Sequence, residues 1–380
     1  MIKNAIIVTL AALSIFLLLA SIGTFQFGSP SENAAFSRFE RERIRAVNSA
    51  SVWHVGFVNN ESVADAREIA EGVRFSIDKI NAAGGILGKK VELSAFDTGG
   101  NFVANKLHVT RLSEDRQTSF LLAPYYTFEV PTTRAISSYF AVPTVAPSVI
   151  KPDSLPKLTP DLFLTALPSI DLWTRPVVAA LRNRGFKNIL VIGPEIEHMG
   201  GVFAARIEDE LREDKHFGEV FRCSYEPPAS YQVLYQSLKF YRDNRTFDVI
   251  VFTSTAEDLQ VLGKVMKAAN ISIPVYGLNI LERADLGDFA KDFPAELVYT
   301  HTSGYLIDRE DYDDWVLKFR GPPGQWAQYG ILSCELFRDA LQANGRYVPT
   351  KLIEKIEKMR FERNHSGKYQ LHVELTRFQQ

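Results

Sequence analysis

Short polar turns follow the apolar, strand-like runs of this chain, and they contain the residues best suited to chemistry. In open α/β sheets, ligands bind beyond the carboxyl ends of the parallel strands. Hydroxyl and amide groups there can hold a polar ligand away from water. The same residue types also cap helices, so each position has a structural explanation as well. The selected turns are Asn59-Asn60, Asp97-Thr98, Ala123–Thr127, Ala146–Ser148, Gly193–Met199, Thr253–Thr255 and Leu278-Asn279.

Local motifs for catalysis are missing from the sequence. It contains no G-x-S-x-G, H-E-x-x-H or C-x-x-C, and no G-x-G-x-x-G follows the first strand-like run. The seven histidines are scattered, and none has metal-ligand spacing to another His or Cys. We therefore predict a protein that is not an enzyme and uses no metal or cofactor. A hydrolytic variant that depends on His198 or Cys223 is the alternative.

Length and composition set further bounds. A chain of 380 residues can form two domains with full cores, and its 46% hydrophobic and 23% charged fractions are ordinary for a globular protein. The net charge of -2 gives no reason to expect nucleic acid. Two cysteines, Cys223 and Cys334, are too few for a disulfide framework. We expect buried free thiols, with a single bridge as the alternative.

The N-terminal region contains a long apolar run. Ala5–Gly23 follows one lysine, Lys3, and its length approaches the roughly 20 apolar residues that span a bilayer. Signal-peptide cores are usually shorter, at about 7–15 residues, and no A-x-A cleavage site follows. Residues 1–24 are expected to form a signal peptide or, as we favour, a membrane anchor. Residues 25–50 are expected to form a stalk or linker, in which a helix-capable stretch is a solvated spacer.

Alternating strand and helix patterns fill the rest of the chain. Val52–Val58 is strand-like, and Ala64–Ala82 places apolar residues on one face at helical spacing. This alternation continues to about residue 146 and repeats between Ile189 and Thr300. Three helical stretches and a terminal strand, Tyr369–Leu375, follow. The pattern predicts an α/β fold with two doubly wound, Rossmann-like lobes.

One stretch, Ile77–Leu93, carries a distinctive glycine pattern, I-D-K-I-N-A-A-G-G-I-L-G-K-K-V-E-L. Gly84 and Gly85 come just after the predicted helix, where the left-handed conformation ends a helix without a Cβ clash. The run is a poor match to a phosphate-binding loop, because that loop's glycines precede a helix and its lysine is followed by Ser or Thr. We interpret it as a helix end, a turn and a strand.

This stretch resembles the type I periplasmic binding proteins, specifically the Leu/Ile/Val-binding group of ABC-transporter receptors. Those proteins carry a similar A-I-x-x-I-N-x-x-G-G-I-x-G run, and the resemblance extends from about Val52 to about Leu341. It implies two lobes joined by a multi-strand hinge. The first lobe would comprise 50–164 and 300–352, and the second 165–299 and 353–380. Such a hinge allows the lobes to close around a ligand.

The resemblance also implies ligand-binding residues. Tyr126 and Thr127 match a loop whose hydroxyl and amides, at a helix N-terminus, hold the ligand's carboxylate in the family. Ser148 matches the contact after the fourth strand. His198 aligns with an aromatic contact after the first strand of the second lobe, and Thr255 belongs to a turn where the family places another.

Two positions depart from the family pattern. A threonine of the family falls at about Ile150 here, so that hydroxyl is lost. An acidic residue that pairs with the ligand's ammonium aligns with Asn279, which can accept a hydrogen bond but cannot neutralise a charge. Glu282 lies close in sequence and is a substitute. The departures indicate either a changed ligand or a degenerate site.

The expected function is that of an extracytoplasmic receptor. It would bind a small polar, carboxylate-bearing solute, such as an amino acid, and present it to an ABC permease in the periplasm. The alternative is a sensor or accessory receptor of the same fold, tethered to the inner membrane through residues 5–23, that signals binding without transport.

Overall fold

A computed structural model describes residues 30–148, 155, 158, 160–167, 170–195, 198–281, 286–291, 293–303, 306–365 and 372–378. The described chain folds around two sheets with helices on their faces. In the half of the chain that ends at Asn183, the elements are α1 (Pro30–Ser49), β1 (Val52–Asn59), α2 (Ala64–Ala82), β2 (Lys90–Asp97), α3 (Phe102–Glu114), β3 (Thr118–Leu122), α4 (Val130–Tyr139), β4 (Thr144–Ala146), β5 (Phe163–Thr165) and α5 (Asp171–Asn183).

The second half continues the alternation and ends with three helices and a strand. Its elements are β6 (Ile189–Pro194), α6 (Met199–Glu213), β7 (Val220–Tyr225), α7 (Tyr231–Asn244), β8 (Val249–Phe252), α8 (Ala256–Ala268), β9 (Val275–Gly277), α9 (Leu286–Ala290), β10 (Leu297–Ser303), α10 (Arg309–Phe319), α11 (Gln325–Asn344), α12 (Pro349–His365) and β11 (His372–Arg377).

The two sheets confirm the predicted α/β class with two doubly wound lobes. The first sheet has the order β2-β1-β3-β4-β5, and each of its neighbouring strands is parallel. The second has the order β11-β10-β9-β8-β6-β7 and is parallel except for the β10–β11 pair. We call the parts built on these sheets the first lobe and the second lobe. In both sheets the strand order reverses beside the first strand of the lobe, which is the geometry of a ligand crevice.

The predicted helix Ala64–Ala82 and the glycine run after it are both present. Gly84, Gly85 and Gly88 all adopt positive φ angles, of 96°, 83° and 79°. The amide of Gly85 donates to the carbonyl of Ile80, which closes the end of the helix. The turn then delivers the chain to β2, which pairs along its full length with β1. The run is therefore a structural connection, as its position after a helix predicted.

Helix α11 packs directly against α2 in the core of the first lobe. A Cβ at Gly72 would collide with the carbonyl of Ala327, and a Cβ at Gly330 would collide with that of Ile69. Glycine at these two positions lets the two backbones approach each other. Trp326 and Phe337, also on α11, lie in the same buried cluster. Helix α11, from late in the sequence, is therefore part of the core of the first lobe.

Helix α1 differs from the solvated spacer expected within residues 25–50. Phe39 and Val47 are buried in the first-lobe core, and Arg43 is fully buried. The Arg43 guanidinium donates to four backbone carbonyls, those of Ser113, Asp115, Thr118 and Phe140, at 2.5–3.2 Å. The sequence pattern suggested solvation because Arg and Glu alternate there, but the arginine is turned inward and its charge is met by carbonyl dipoles. The helix is part of the lobe.

The chain passes between the lobes after Thr165, after Ser303 and again between His365 and His372. We propose the division expected from the sequence, with two changes that the packing requires. Helix α1 joins the first lobe. Helix α12 runs through the expected boundary at 352/353, and Leu352, Ile353 and Ile356 are all buried in the first-lobe core. The C-terminal part of the second lobe therefore begins only at β11.

The thiols of Cys223 and Cys334 are buried and free, as expected. The apolar segment 5–23, expected to form a signal peptide or anchor, lies outside the described residues. Among the helices that are described, none has the length and apolar character needed to cross a membrane.

Candidate functional site

The loop after β3, in the first lobe, contacts the turn after β6, in the second lobe. The ring of Phe128 in this loop makes an edge contact with the ring of His198 in the second lobe, with centroids 6.0 Å apart. His198 directly precedes α6, after the carboxyl end of β6. The contact crosses from one lobe to the other, so the loop after β3 faces the second lobe, as the strand-end rule predicts.

Tyr126 is half-buried in this loop and is held by a neighbouring turn. Its hydroxyl accepts a hydrogen bond from Asn60 Nδ2 at 2.8 Å, and its ring stacks on that of Phe128 with centroids 5.1 Å apart. A Cβ at Gly100 would lie 3.3 Å from Asn60 Nδ2 and 3.7 Å from the hydroxyl, so glycine leaves room for this pair. Burial raises the pKa of Tyr126, and the hydrogen bond from Asn60 opposes that shift. Tyr126 therefore presents a neutral phenol.

Thr127 and Glu129 occupy the 3₁₀ turn Thr127–Glu129 that leads into α4. Both are buried, and each has one polar atom, Thr127 Oγ1 and Glu129 Oε1, with no hydrogen-bond partner among the described residues. The other carboxylate oxygen, Oε2, accepts a hydrogen bond from the amide of Tyr126 at 3.1 Å. Buried polar atoms are normally paired, so two unpaired atoms in one turn indicate a place where a ligand can bond.

Ser148 lies after β4, next to the same loop. Its hydroxyl is buried and donates to the carbonyl of Tyr125 at 2.9 Å. It therefore supports the backbone that carries Tyr126 and Thr127. The structure thus brings together three of the predicted residues in the first lobe, with His198 reached through Phe128.

Asn279 lies after β9 and bonds to the first lobe. Gln325, the first residue of α11, donates from Nε2 to the Asn279 carbonyl at 3.0 Å, and a long contact of 3.5 Å joins Asn279 Nδ2 to Gln325 Oε1. Asn279 is 3% exposed, and its Oδ1 has no partner among the described residues. The asparagine therefore serves as a bridge between the lobes and keeps one amide oxygen for another donor.

Thr255 is explained by a structural role. Its side chain is the N-cap of α8 and accepts a hydrogen bond from the amide of Asp258 at 3.4 Å, and the residue is exposed. Thr253, two residues earlier, has a fully buried hydroxyl without a partner in the described part of the chain. In this turn the buried threonine is therefore the better candidate. Ile150 and Glu282, at the two departures from the family pattern, lie outside the described residues.

Sequence reasoning did not single out four residues that the structure places at this site. They are Asn60, Phe128, Glu129 and Gln325. Asn60 belongs to a selected turn, but nothing local shows that its partner is 66 residues away. Glu129 is one acidic residue in a polar turn, and only its burial distinguishes it. Gln325 is 46 residues from Asn279, so sequence spacing carries no signal of that contact.

One cluster of carboxylates, Asp308, Asp311 and Glu335, has oxygen atoms within 4.8 Å of one another. Two cations lie among them. Lys79 Nζ is 2.5 Å from Asp311, and Arg338 Nη2 is 3.2 Å from Asp308. Because the protein supplies its own positive charges, we interpret this cluster as an ion-pair network that joins α2, α10 and α11.

Comparison with known families and structures identifies the fold's relatives. A family described as periplasmic binding protein matches residues 62–374. No curated protein matches the sequence.

Similar solved structures are described as substrate-binding or solute-binding proteins of transporters. The branched-chain amino acid substrate-binding protein LivJ from Streptococcus pneumoniae, in complex with isoleucine, is 16% identical, with a TM-score of 0.63 over 81% of this chain and 88% of that one. A substrate-binding protein from Desulfitobacterium hafniense in complex with Leu is 17% identical, with a TM-score of 0.66 over 86% and 97%. A solute-binding protein from R. palustris in complex with benzoate is 13% identical, with a TM-score of 0.63 over 80% and 85%.

The family match confirms the resemblance to periplasmic binding proteins, and the solved structures, which include branched-chain amino acid binding proteins, confirm the fold. The matches are to binding proteins and not to enzymes, in agreement with the missing catalytic motifs. The family match covers most of the chain, and the two-sheet architecture agrees with it. The chain belongs to the periplasmic binding protein family.

Proposed function

We propose that the protein is an extracytoplasmic solute-binding receptor whose two lobes close on a small polar solute and present the closed form to an ABC-type permease. The observation that carries this proposal is the contact of Phe128 with His198, which joins strand-end turns of the two lobes. Thr127 Oγ1, next to Phe128, and Asn279 Oδ1, in the turn after β9, are each buried without a partner among the described residues. Unpaired buried polar atoms cost about 1–3 kcal/mol each, so a solute that bonds to them recovers that free energy.

The proposed solute site contains Tyr126, Thr127, Ser148, His198 and Asn279. The first two belong to a loop of the first lobe, and Ser148 supports that loop. His198 and Asn279 come from the second lobe and already touch the first. A solute held between these groups would add contacts that exist only when the lobes are close, which is how differential affinity drives a hinge motion.

A thermal-melt screen of the full chain tests the proposal. The panel contains amino acids, small carboxylates, amides and aromatic acids. A solute at 100 times its Kd adds about 2.7 kcal/mol of stability, which shifts the melt clearly. Thr127→Val and Asn279→Ala should each abolish most of the shift, whereas Thr255→Ala should retain it. A solute whose shift survives both substitutions would place binding elsewhere and contradict the site.

A second candidate function is a membrane-tethered sensor that signals binding without transport. The observation in its favour is the docking of α1 in the first-lobe core, through Phe39, Arg43 and Val47. Only residues 24–29 separate α1 from the apolar segment 5–23, and a chain of this length spans at most about 20 Å. An uncleaved segment would therefore hold the first lobe near the membrane. N-terminal sequencing of the exported protein decides, since a start beyond Gly23 excludes the tether.

Binding of a carboxylate on the solute, as predicted from the sequence, would require free amides in the loop after β3. One of those amides, that of Tyr126, already donates to Glu129.

A further inference from the structure

Glu129 is a buried carboxylate at the start of α4, and only half of it is bonded. It is 1% exposed. Its Oε2 accepts a hydrogen bond from the amide of Tyr126 at 3.1 Å, while Oε1 has no hydrogen-bond partner among the described residues. A second amide, that of Tyr125, also favours the charged form. The carboxylate therefore turns back onto the loop that precedes it.

The amide of Tyr126, which Glu129 occupies, belongs to the loop that leads from β3 through the turn Thr127–Glu129 into α4. The family resemblance implies that the amides of this loop hold the carboxylate of a ligand. An internal carboxylate now fills this position. A solute carboxylate placed there would find its hydrogen-bond donors taken and a like charge beside it.

No positively charged side chain of the site, among the described residues, offsets the negative charge of Glu129. Among the described residues that we assign to the site, none is Lys or Arg. Arg134, one turn further along α4, is bonded to both oxygens of Asp161. Burial, as the largest cause, raises the pKa of Glu129 to about 7, so the group carries substantial negative charge at neutral pH. A donor facing Oε1 would satisfy the one unpaired oxygen.

We propose that Glu129 determines the solute specificity of this receptor, by excluding a free carboxylate from the first-lobe side of the site and selecting a solute that presents N–H donors, as a carboxamide or an ammonium group does. This proposal rests on the proposed function and deepens it. It differs from the amino-acid carboxylate expected from the resemblance, because the loop amide is already bonded within the protein.

The experiment is calorimetric titration of the full chain with two matched pairs, benzoate against benzamide and isoleucine against isoleucinamide. In the unsubstituted protein, the amide of each pair that binds should bind at least about tenfold more tightly than the acid, since like charges side by side are strongly unfavourable. Glu129→Ala should improve the affinity for the acids by at least about tenfold, because it frees the amides. Glu92→Ala, which removes an exposed glutamate from β2, should leave every preference unchanged.

A second substitution separates the effect of the charge from an effect of misfolding. Glu129→Gln keeps the shape of the side chain and an oxygen for the Tyr126 amide, and removes only the charge. It should weaken the binding of isoleucinamide, which is cationic, more than the binding of benzamide, which is neutral. That split distinguishes charge selection from a general loss of the fold.

The outcomes separate the two proposals. An unsubstituted protein that binds the acid of either pair more tightly than the amide overturns the role of Glu129 but leaves the receptor function intact. Unchanged acid affinity in Glu129→Ala, with the fold preserved by circular dichroism, also overturns that role. If no solute in the wider melt screen binds any variant, both proposals fail.

Discussion

Arg43 and Glu129 are both buried charges of the first lobe, and they are bonded very differently. The Arg43 guanidinium donates to four carbonyls and is part of the packing of α1. Glu129 has one oxygen bonded to the Tyr126 amide and the other without a partner among the described residues. A fully bonded buried charge holds a structure together, whereas a half-bonded one at the meeting of two lobes keeps bonding capacity for something else.

The pKa values of Arg43 and Glu129 differ as well. Burial lowers the pKa of Arg43 to about 10, so its charge persists at neutral pH. Burial raises the pKa of Glu129 to about 7, close to physiological pH. The first group is fixed in one charge state and the second is poised between two.

Arg43→Ala should have the largest effect on stability. It leaves four carbonyls without their donor and opens a cavity under α1. Each buried acceptor left unsatisfied costs about 1–3 kcal/mol, so a total loss of at least about 3 kcal/mol is expected. Denaturant unfolding measures the loss. Arg45→Ala is the matched control, since Arg45 is exposed on the same helix. A loss below about 1 kcal/mol for Arg43→Ala would mean that α1 is not an integral part of the lobe.

Glu129→Gln should change how stability depends on pH. The pKa of Glu129 is raised in the folded protein, from 4.5 to about 7, so its favourable contribution is complete below pH 4.5 and is lost as pH rises through 7. The glutamine variant lacks this loss. Its stability relative to the unsubstituted protein should therefore rise by about 2 kcal/mol between pH 5 and pH 8.

The control for this pH measurement is Glu92→Gln, which removes an exposed carboxylate of the same lobe. It should follow the pH profile of the unsubstituted protein. If Glu129→Gln follows that profile too, Glu129 is not held in the half-bonded state that we describe.

Gln325→Ala should shift the lobes apart. It removes the hydrogen bond from Gln325 Nε2 to the Asn279 carbonyl, and a net loss of about 1 kcal/mol changes the ratio of open to closed forms by about fivefold. A distance measurement between labels on the two lobes reports this ratio. Gln342→Ala, at an exposed position of the same helix, should change nothing. Equal distance distributions for the two variants would show that the hydrogen bond between Gln325 and Asn279 does not hold the lobes together.

Two threonines extend the contrast to uncharged groups. Thr127→Val removes a buried hydroxyl without a partner among the described residues, so it should not destabilise the free protein and should weaken solute binding. Thr255→Val removes a helix cap and should cost about 0.5 kcal/mol while binding is retained. Melting curves with and without solute separate the two effects. The reverse pattern would assign the site to the wrong threonine.

Local patterns were sufficient for much of the fold. The helical spacing of Ile69, Val73 and Ile77 and the glycines after them predicted α2, its end and the following strand, because these features depend on neighbours in sequence. Helix α5 was not predicted, and Pro176 lies inside it. The inward turn of Arg43 could not be predicted either, since its carbonyl partners are 70 to 97 residues away.

The position of the candidate residues could be predicted as well. The strand-end rule predicted that Tyr126, Thr127, Ser148, His198 and Asn279 follow strands, and they do, because sheet topology follows from the alternation of strands and helices. Their contact with a solute stays a prediction. The strand-end rule could not show that Thr255 caps a helix, or that the Tyr126 amide is already bonded by Glu129. Both depend on how one side chain is directed, which a polar turn leaves open.

The most direct test of the receptor account is the distance between the lobes with and without solute. Val103, near the start of α3, and Val233, near the start of α7, are exposed and follow strand ends in opposite lobes. Spin labels at Val103→Cys and Val233→Cys would report closure, because the two natural cysteines are buried. With the solute that gives the largest melt shift, we expect a shorter and narrower distribution of distances between the two labels. An unchanged distribution with that solute bound would contradict closure of the lobes around it.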